Sequence, residues 1–305
     1  MKIGTGIMKA IMRGLSALPL GFHYACCGFF SWLLKDVFRY RRDVVMTNLA
    51  RSFPDKKYNE LKDIAGNFYM HFGRLIAETI WFGGCRNPER LHKRRLVEYS
   101  NIDVFDEAYR ESKGLVVLYS HLGNWELMGG CASYDYREGG HLPEGLEPND
   151  VVFVYKPLKS AMWDEIMREN RCAPVLRDDY TSYVSSEKIL RFAIQNRDRK
   201  LVVNINSDQC PYSNSTVDET VDFMHQKTKT MLGGASIASK FGWCVLYASM
   251  IPKRKGNYDW KFTEICRDAS TMTPHDIMQE YYRLLQTDIE ACPWCYLWTH
   301  KRWKK

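Results

Sequence analysis

Four short apolar runs constrain this chain more than anything else in it: LVVLYS (115–120), VVFVY (151–155), LVVNIN (201–206) and WCVLYASMI (243–251). Runs of this length without polar alternation read as strands buried on both faces. Between them lie segments with helical spacing, 160–171, 185–196 and 230–241. This alternation predicts an α/β fold with a mostly parallel or mixed central sheet flanked by helices. YDWKFTEI (258–265) alternates apolar and polar residues and predicts a further strand, antiparallel and at an edge. Residues 275–290 predict a late helix, with Thr273 as its cap and Pro274 in its first turn. Residues 58–81 carry apolar side chains three and four apart, the pattern of an amphipathic helix in which His71 reads as a packed or partly exposed residue. The Gly- and Pro-rich stretch 137–150 reads as a surface loop. With 305 residues, 45% of them hydrophobic, the chain can bury one large core. A single α/β domain over 43–305 is therefore expected, preceded by a helical region over 1–42.

That first region is apolar and basic. Twenty-one residues without a formal charge separate Arg13 from Lys35, about the length that crosses a bilayer core. Pro19, Gly21 and His23 interrupt them, and basic residues flank both ends: Lys2, Lys9 and Arg13 before, Lys35, Arg39, Arg41 and Arg42 after. An interfacial helix held by apolar burial and attraction to anionic headgroups fits this pattern at least as well as a true span. Trp32, Phe38 and Tyr40 are residue types that suit a headgroup boundary. A buried core helix is the alternative.

The formal charge of +7, from 43 basic and 36 acidic side chains, is too small for a dedicated nucleic-acid binder and suits anionic lipid or acidic protein surfaces. Ten cysteines without framework spacing read as reduced thiols. The CPWC segment gives Cys292 and Cys295 dithiol spacing, but no thioredoxin-like unit surrounds it, and packing is the expectation.

Chemistry is concentrated where LVVLYS ends in HLGNWE (121–126). In open α/β sheets ligands bind beyond the carboxyl ends of strands, so His121 is a candidate by position. Five residues along a regular helix rotate through roughly 500°, so His121 and Glu126 meet only if the chain turns between them. Gly123 tolerates unusual backbone angles and Asn124 is a good helix cap, which predicts Glu126 in a first helical turn, folded back on the imidazole. A carboxylate on one ring nitrogen raises the basicity of the other, giving a general base with no serine or cysteine nucleophile. A zinc site is disfavoured, because such helices place two histidines four apart.

His121 and Glu126 also match the H-x-x-x-x-D/E motif of the lysophospholipid acyltransferase superfamily. The wider chain resembles its bacterial lipid A secondary acyltransferase branch through RYRRDVVMTNLARSFPD (39–55), VYKPLK (154–159), SDQ (207–209), TKTMLGGASIASKFG (228–242) and YLWTHKRW (296–303). The resemblance implies a glycerolipid acyltransferase-like fold. It further implies transfer of a fatty acyl group from acyl carrier protein to a hydroxyl of a lipid A precursor, at the cytoplasmic face of the inner membrane, with no cofactor. His121 would deprotonate the acceptor hydroxyl and Glu126 would stabilise the imidazolium. Lys156 stands where many members have an arginine, and an ammonium cannot reproduce a bidentate fork. Asp208 matches an aspartate block and would orient a basic group or the acceptor. Thr228 and Thr230 would offer hydroxyls to a phosphate or cap a helix. His300, Lys301 and Arg302, with Lys304 and Lys305, resemble a terminal basic cluster that would contact lipid phosphates or the acidic carrier protein; solvated tail charges are the alternative. An O-acyltransferase for another lipid, such as a lysophospholipid or aminoacyl lipid, and an acyl thioesterase remain as other readings.

Overall fold

The computed structural model describes residues 2–134, 143–175, 180–211, 219–254 and 256–303. Its elements in chain order are α1 (Lys2–Ala17), α2 (Leu20–Trp32), α3 (Arg42–Ser52), α4 (Tyr58–Phe82), α5 (Pro88–Arg94), β1 (Val97–Tyr99), α6 (Ile102–Glu111), β2 (Leu115–Tyr119), β3 (Val151–Tyr155), α7 (Ala161–Arg171), β4 (Tyr183–Ser185), α8 (Ile189–Gln195), β5 (Val202–Asn206), β6 (Thr220–Phe223), β7 (Gln226–Lys229), α9 (Gly233–Phe241), β8 (Cys244–Arg254), β9 (Asn257–Cys266) and α10 (Pro274–Ala291). Short 3₁₀ turns and a π turn at Leu33–Val37 join them.

Seven strands form one sheet in the order β1-β9-β8-β2-β5-β3-β4. Every pairing is parallel except β8 with β9. The four apolar runs supply β2, β3, β5 and β8, and β2 lies at the centre between β5 and β8. Because successive side chains of a strand point to opposite faces, β2 divides its valines and leucines between two cores. Val116 and Leu118 pack with α4, α9 and α10, whereas Leu115 and Val117 pack with α2 and α6. That two-sided burial is why the runs show no polar alternation. β9 is antiparallel, as its alternation predicts, but β1 pairs along its outer side, so it is not an edge. β6 and β7 form a separate antiparallel hairpin against α10.

The predicted helices form at 58–81, 160–171 and 275–290 nearly to the residue, and Thr273 caps α10 through Asp276 N–H. The segments 185–196 and 230–241 yield shorter helices: β4 takes Ser185 and a turn spans 186–188 before α8, and 230–232 are irregular before α9. Of the loop 137–150, residues 137–142 lie outside the described residues, as do Lys304 and Lys305.

The first 42 residues are a helical region joined to the core. α1 and the helical stretch Leu20–Val37 meet at 109° across Leu18 and Pro19, and among the described residues no single helix is long and apolar enough to cross a membrane. α2 buries Leu20, Tyr24 and Cys27 in the same core as α6. Its other side exposes Phe22, Phe29, Phe30 and Trp32, each at least half accessible.

Candidate active site

The carboxyl ends of β2 and β5 lie side by side, Tyr119 opposite Asn206, and the residues just beyond them make the site. His121 follows β2 and Asp208 follows β5. Their side chains meet: His121 Nδ1 is 2.7 Å from Asp208 Oδ1. Asp208 is 2% exposed, and burial alone would raise its carboxyl. The charge and hydrogen bond of His121, with the charge of Arg302, outweigh burial and hold it below the usual carboxylate range. An ionised Asp208 accepts Nδ1–H and leaves the lone pair on Nε2. Nε2 in turn receives the side-chain amides of Gln209 at 2.9 Å and Asn206 at 3.2 Å.

Glu126 is arranged differently from the sequence expectation. The carboxylate on the imidazole is Asp208; Glu126 is turned onto Arg171, whose Nε and Nη2 donate to it at 2.5 and 2.8 Å. Trp125 Nε1 donates to the same carboxylate at 3.1 Å and presents its ring edge-on to His121. The Asn124 cap forms as predicted, its side chain accepting from Glu126 N–H, but the following helix, Trp125–Ser133, is 3₁₀ rather than α. Burial would raise the Glu126 carboxyl, but the charge and hydrogen bonds of Arg171, with the His121 charge, bring it below the ordinary range. Glu126 thus lies within electrostatic reach of the imidazole while its hydrogen bonds hold a guanidinium. The α7 backbone approaches this helix closely: a Cβ on Gly129 would lie 1.7 Å from Arg171 O.

The turn His121–Asn124 is gripped from several sides. Gly123 adopts φ +66°, and a Cβ there would fall 2.0 Å from Met250 O, so only glycine fits. Its N–H donates to Cys295 O, while Leu297 N–H donates to His121 O. The CPWC segment is therefore a buried 3₁₀ turn that braces the site through its backbone. Two residues on one face of α4 complete the grip. His71 Nε2 lies 3.0 Å from Gly123 O, and Glu78 accepts from the Asn124 side-chain amide at 2.9 Å. Glu78 also accepts from Tyr24 and Tyr258 hydroxyls, at 2.6 and 2.5 Å. His71 is a packed residue, and burial drops its pKa to about 4. Adjacent tyrosines of α10 pin the two strand ends, Tyr281 donating to Tyr119 O and Tyr282 to Ser207 O. Sequence reasoning found neither Arg171 nor these tyrosines; no local pattern marks them.

The remaining sequence candidates divide. Lys156 is exposed just past β3. Thr228 and Thr230 are buried, Thr228 in β7 bonded to Gln226 O and by Trp303 Nε1, and the N-cap of α9 is Leu232, so neither hydroxyl caps that helix. Arg302 is 2% exposed, stacked on Tyr282 and bonded to Lys229 O and the Tyr282 hydroxyl. It is an interior cation near Asp208 rather than a tail charge, because the last residues return under α3, where Asn48 donates to Trp298 O and His300 O. His300 accepts from Cys210 N–H at 3.2 Å, and Lys301 is exposed.

An apolar recess, partly open to solvent, lies on the α6 face of the sheet, lined by Tyr99, Phe105, Cys131, Val202, Asn204 and Trp260 among others. Val202, Asn204 and Asn206 alternate onto one face of β5. Asn204, two residues before the amide that touches His121, lines the recess together with Cys131 and Ala132 at the far end of the 3₁₀ helix, whereas His121, Glu126 and Asp208 do not.

Such a site can take a proton from a hydroxyl or water. A search of curated protein sequences finds no match. The chain matches the family described as bacterial lipid A biosynthesis acyltransferase over residues 2–140 and 182–305. That match spans both strand ends carrying His121 and Asp208, and the chain belongs to this family.

Proposed function

We propose that this chain transfers a fatty acyl group from acyl carrier protein to a hydroxyl on a lipid A precursor, at the cytoplasmic face of the inner membrane. The family supports O-acyl transfer to a lipid acceptor. The observation that carries the mechanism is the His121 to Asp208 contact at 2.7 Å, which leaves Nε2 as the basic atom beyond the sheet.

In this reading Nε2 removes the acceptor proton as its oxygen attacks the thioester carbonyl, and Asp208 stabilises the imidazolium that forms. The same nitrogen returns the proton to the departing thiolate. Glu126 holds Arg171 beside the site. The recess along β5 has an apolar lining suited to an acyl chain.

The N-terminal helices supply the lipid-facing surface. Ile7, Ile11 and Leu15 form an exposed stripe on α1, and Phe22, Phe29, Phe30, Trp32 and Phe38 are exposed in the helical stretch that follows. Lys35, Arg39, Arg41 and Arg42 follow directly and are exposed. An apolar patch edged by cations is the composition of an interfacial anchor.

The test is to incubate purified enzyme with an acyl–carrier protein thioester and either a lipid A precursor or lysophosphatidic acid, and to identify products by mass spectrometry. An added ester on the precursor, lost in His121→Ala, is expected. Acylation of lysophosphatidic acid alone would overturn the acceptor assignment.

A further inference from the structure

The basic nitrogen of His121 is covered. With Nδ1–H given to Asp208, Nε2 has one in-plane lone pair, and the Gln209 amide nitrogen sits on it at 2.9 Å. An acceptor hydroxyl ready for deprotonation must lie within about 2.6–3.2 Å of the same atom. Gln209 and the substrate therefore claim one seat. Asn206 approaches the same nitrogen at 3.2 Å, but the two amides are held differently. Asn206 is the last residue of β5, paired with Tyr119, and its stem is short. Gln209 lies three residues past the strand end, is partly exposed and has an extra methylene. It is the one able to swing away.

We propose that the Gln209 carboxamide is a displaceable cap on His121, withholding the base from water until the acceptor hydroxyl takes its place. The inference rests on the acyl-transfer reading above. The reaction it suppresses is hydrolysis: a water proton passes to Nε2, the water oxygen bonds to the thioester carbonyl carbon, the C–S bond breaks, and the thiolate takes the proton back. A small, abundant nucleophile is disfavoured because it must break the Gln209 bond without the binding energy that a lipid acceptor brings from its remote parts. One neutral hydrogen bond corresponds to an equilibrium factor of about two- to tenfold, which sets the size of the effect.

The experiment compares wild type with Gln209→Ala and Gln209→Met, the second keeping length without a donor. Each is given an acyl–carrier protein thioester with no lipid A precursor or with the precursor at saturation, and free fatty acid and acylated lipid are quantified. Both variants should raise the ratio of hydrolysis without precursor to transfer at saturating precursor, where the bound hydroxyl has already displaced the cap, by about two- to tenfold. Both rates come from one preparation, so a change in folded fraction does not alter their ratio. An unchanged ratio, or a parallel fall of both products, would overturn the proposal. Loss of both products in His121→Ala, alongside unchanged ratios in the Gln209 variants, would sink the cap and leave the general base standing. Transfer that survives His121→Ala would instead sink the general base.

Discussion

Glu78 accepts a hydrogen bond from the Asn124 side chain at 2.9 Å, and through its other oxygen it accepts one from Tyr24 at 2.6 Å. A buried carboxylate on α4 thus connects the second N-terminal helix to the residue that caps the helix of Glu126. Burial pushes the Glu78 carboxyl up against the pull of its three donors. Glu78→Gln keeps the shape but puts an amide donor against at least one existing donor. A stability loss of about 1–3 kcal/mol is expected, with reduced turnover because the cap that orients the turn is loosened. Tyr24→Phe should produce a smaller loss of both. Denaturant melts and steady-state rates check this, and unchanged turnover in both variants would mean that the link does not reach the site.

The two carboxylates near His121 make separable predictions. Asp208→Asn keeps an oxygen that can accept Nδ1–H, but it removes the counter-charge for the imidazolium and adds an amide donor that can select the wrong tautomer, so turnover should fall on the order of 100-fold or more. Glu126→Gln leaves the imidazole bond in place but strips Arg171 of its partner. Its main cost should be stability, about 1–3 kcal/mol for a part-buried pair. Both carboxyls have lowered values in the fold. Their stabilising contribution is complete above the unfolded values near 4 and is lost as pH falls through the lower folded ones. A melt at pH 7 and initial rates on each variant separate the roles; equal turnover losses without unfolding would place Glu126 beside Asp208 in the chemistry.

How much was legible follows from where each signal resides. β2 and His121 could be read because two-sided burial removes polar residues from a strand and the strand end is a fixed place for ligands. The Asn124 cap was legible because capping is local. The partner of the imidazole was not, since it depends on β5 lying next to β2, and Asp208 is 87 residues away from His121. Gly123 signalled a turn but not its direction, which Met250, His71 and Cys295 fix from three distant segments. The burial of Arg302 has no local signal, because basic residues in a run such as HKR usually point into water, and only the packing of Tyr282 and Lys229 around it shows otherwise.

His71 gives the fold a pH dependence of its own. Its ring is fully enclosed, with a pKa of about 4 in place of an ordinary 6.5, and it bonds Gly123 O. A histidine with a depressed folded pKa stabilises fully above its unfolded value. As pH falls from 6.5 to 4 the unfolded chain binds the proton first, and about 3 kcal/mol of stability is lost. His71→Gln, which can keep an amide donor but does not titrate, should be less pH-dependent over that window. Urea denaturation at several pH values measures the difference. Equal slopes for the two proteins would show that the ring is accessible to protons in the fold.

Tyr281 and Tyr282 set the distance between the strand ends. Their hydroxyls donate to Tyr119 O and Ser207 O at 2.9 and 3.0 Å. Phenylalanine at either position removes about 1 kcal/mol of hydrogen bonding while keeping the ring packing. Turnover should fall by more than the melt implies, because His121 and Asp208 stand two and one residues beyond these carbonyls. Acyl-transfer rates at temperatures well below each melt test it. Rates that simply follow the folded fraction would reduce the pair to packing.

The exposed aromatic side chains of α2 predict how the enzyme reaches its lipid. Phe29, Phe30 and Trp32 are 58, 53 and 50% accessible, so their replacement by serine should leave the melt nearly unchanged. In a headgroup layer each would bury roughly half a side chain, about 1 kcal/mol apiece from apolar transfer. The triple variant should therefore bind anionic vesicles about 100-fold more weakly. Charge reversal at Arg39 and Arg42 should weaken binding further, by about 1 kcal/mol per cation, and this part alone should vanish at high salt. Sedimentation with vesicles at two salt concentrations distinguishes the two contributions. Because neither set of residues touches His121 or Asp208, hydrolysis of a soluble thioester should continue while transfer to a membrane-borne acceptor declines. A variant that loses both activities together would tie these side chains to the site rather than to the lipid surface.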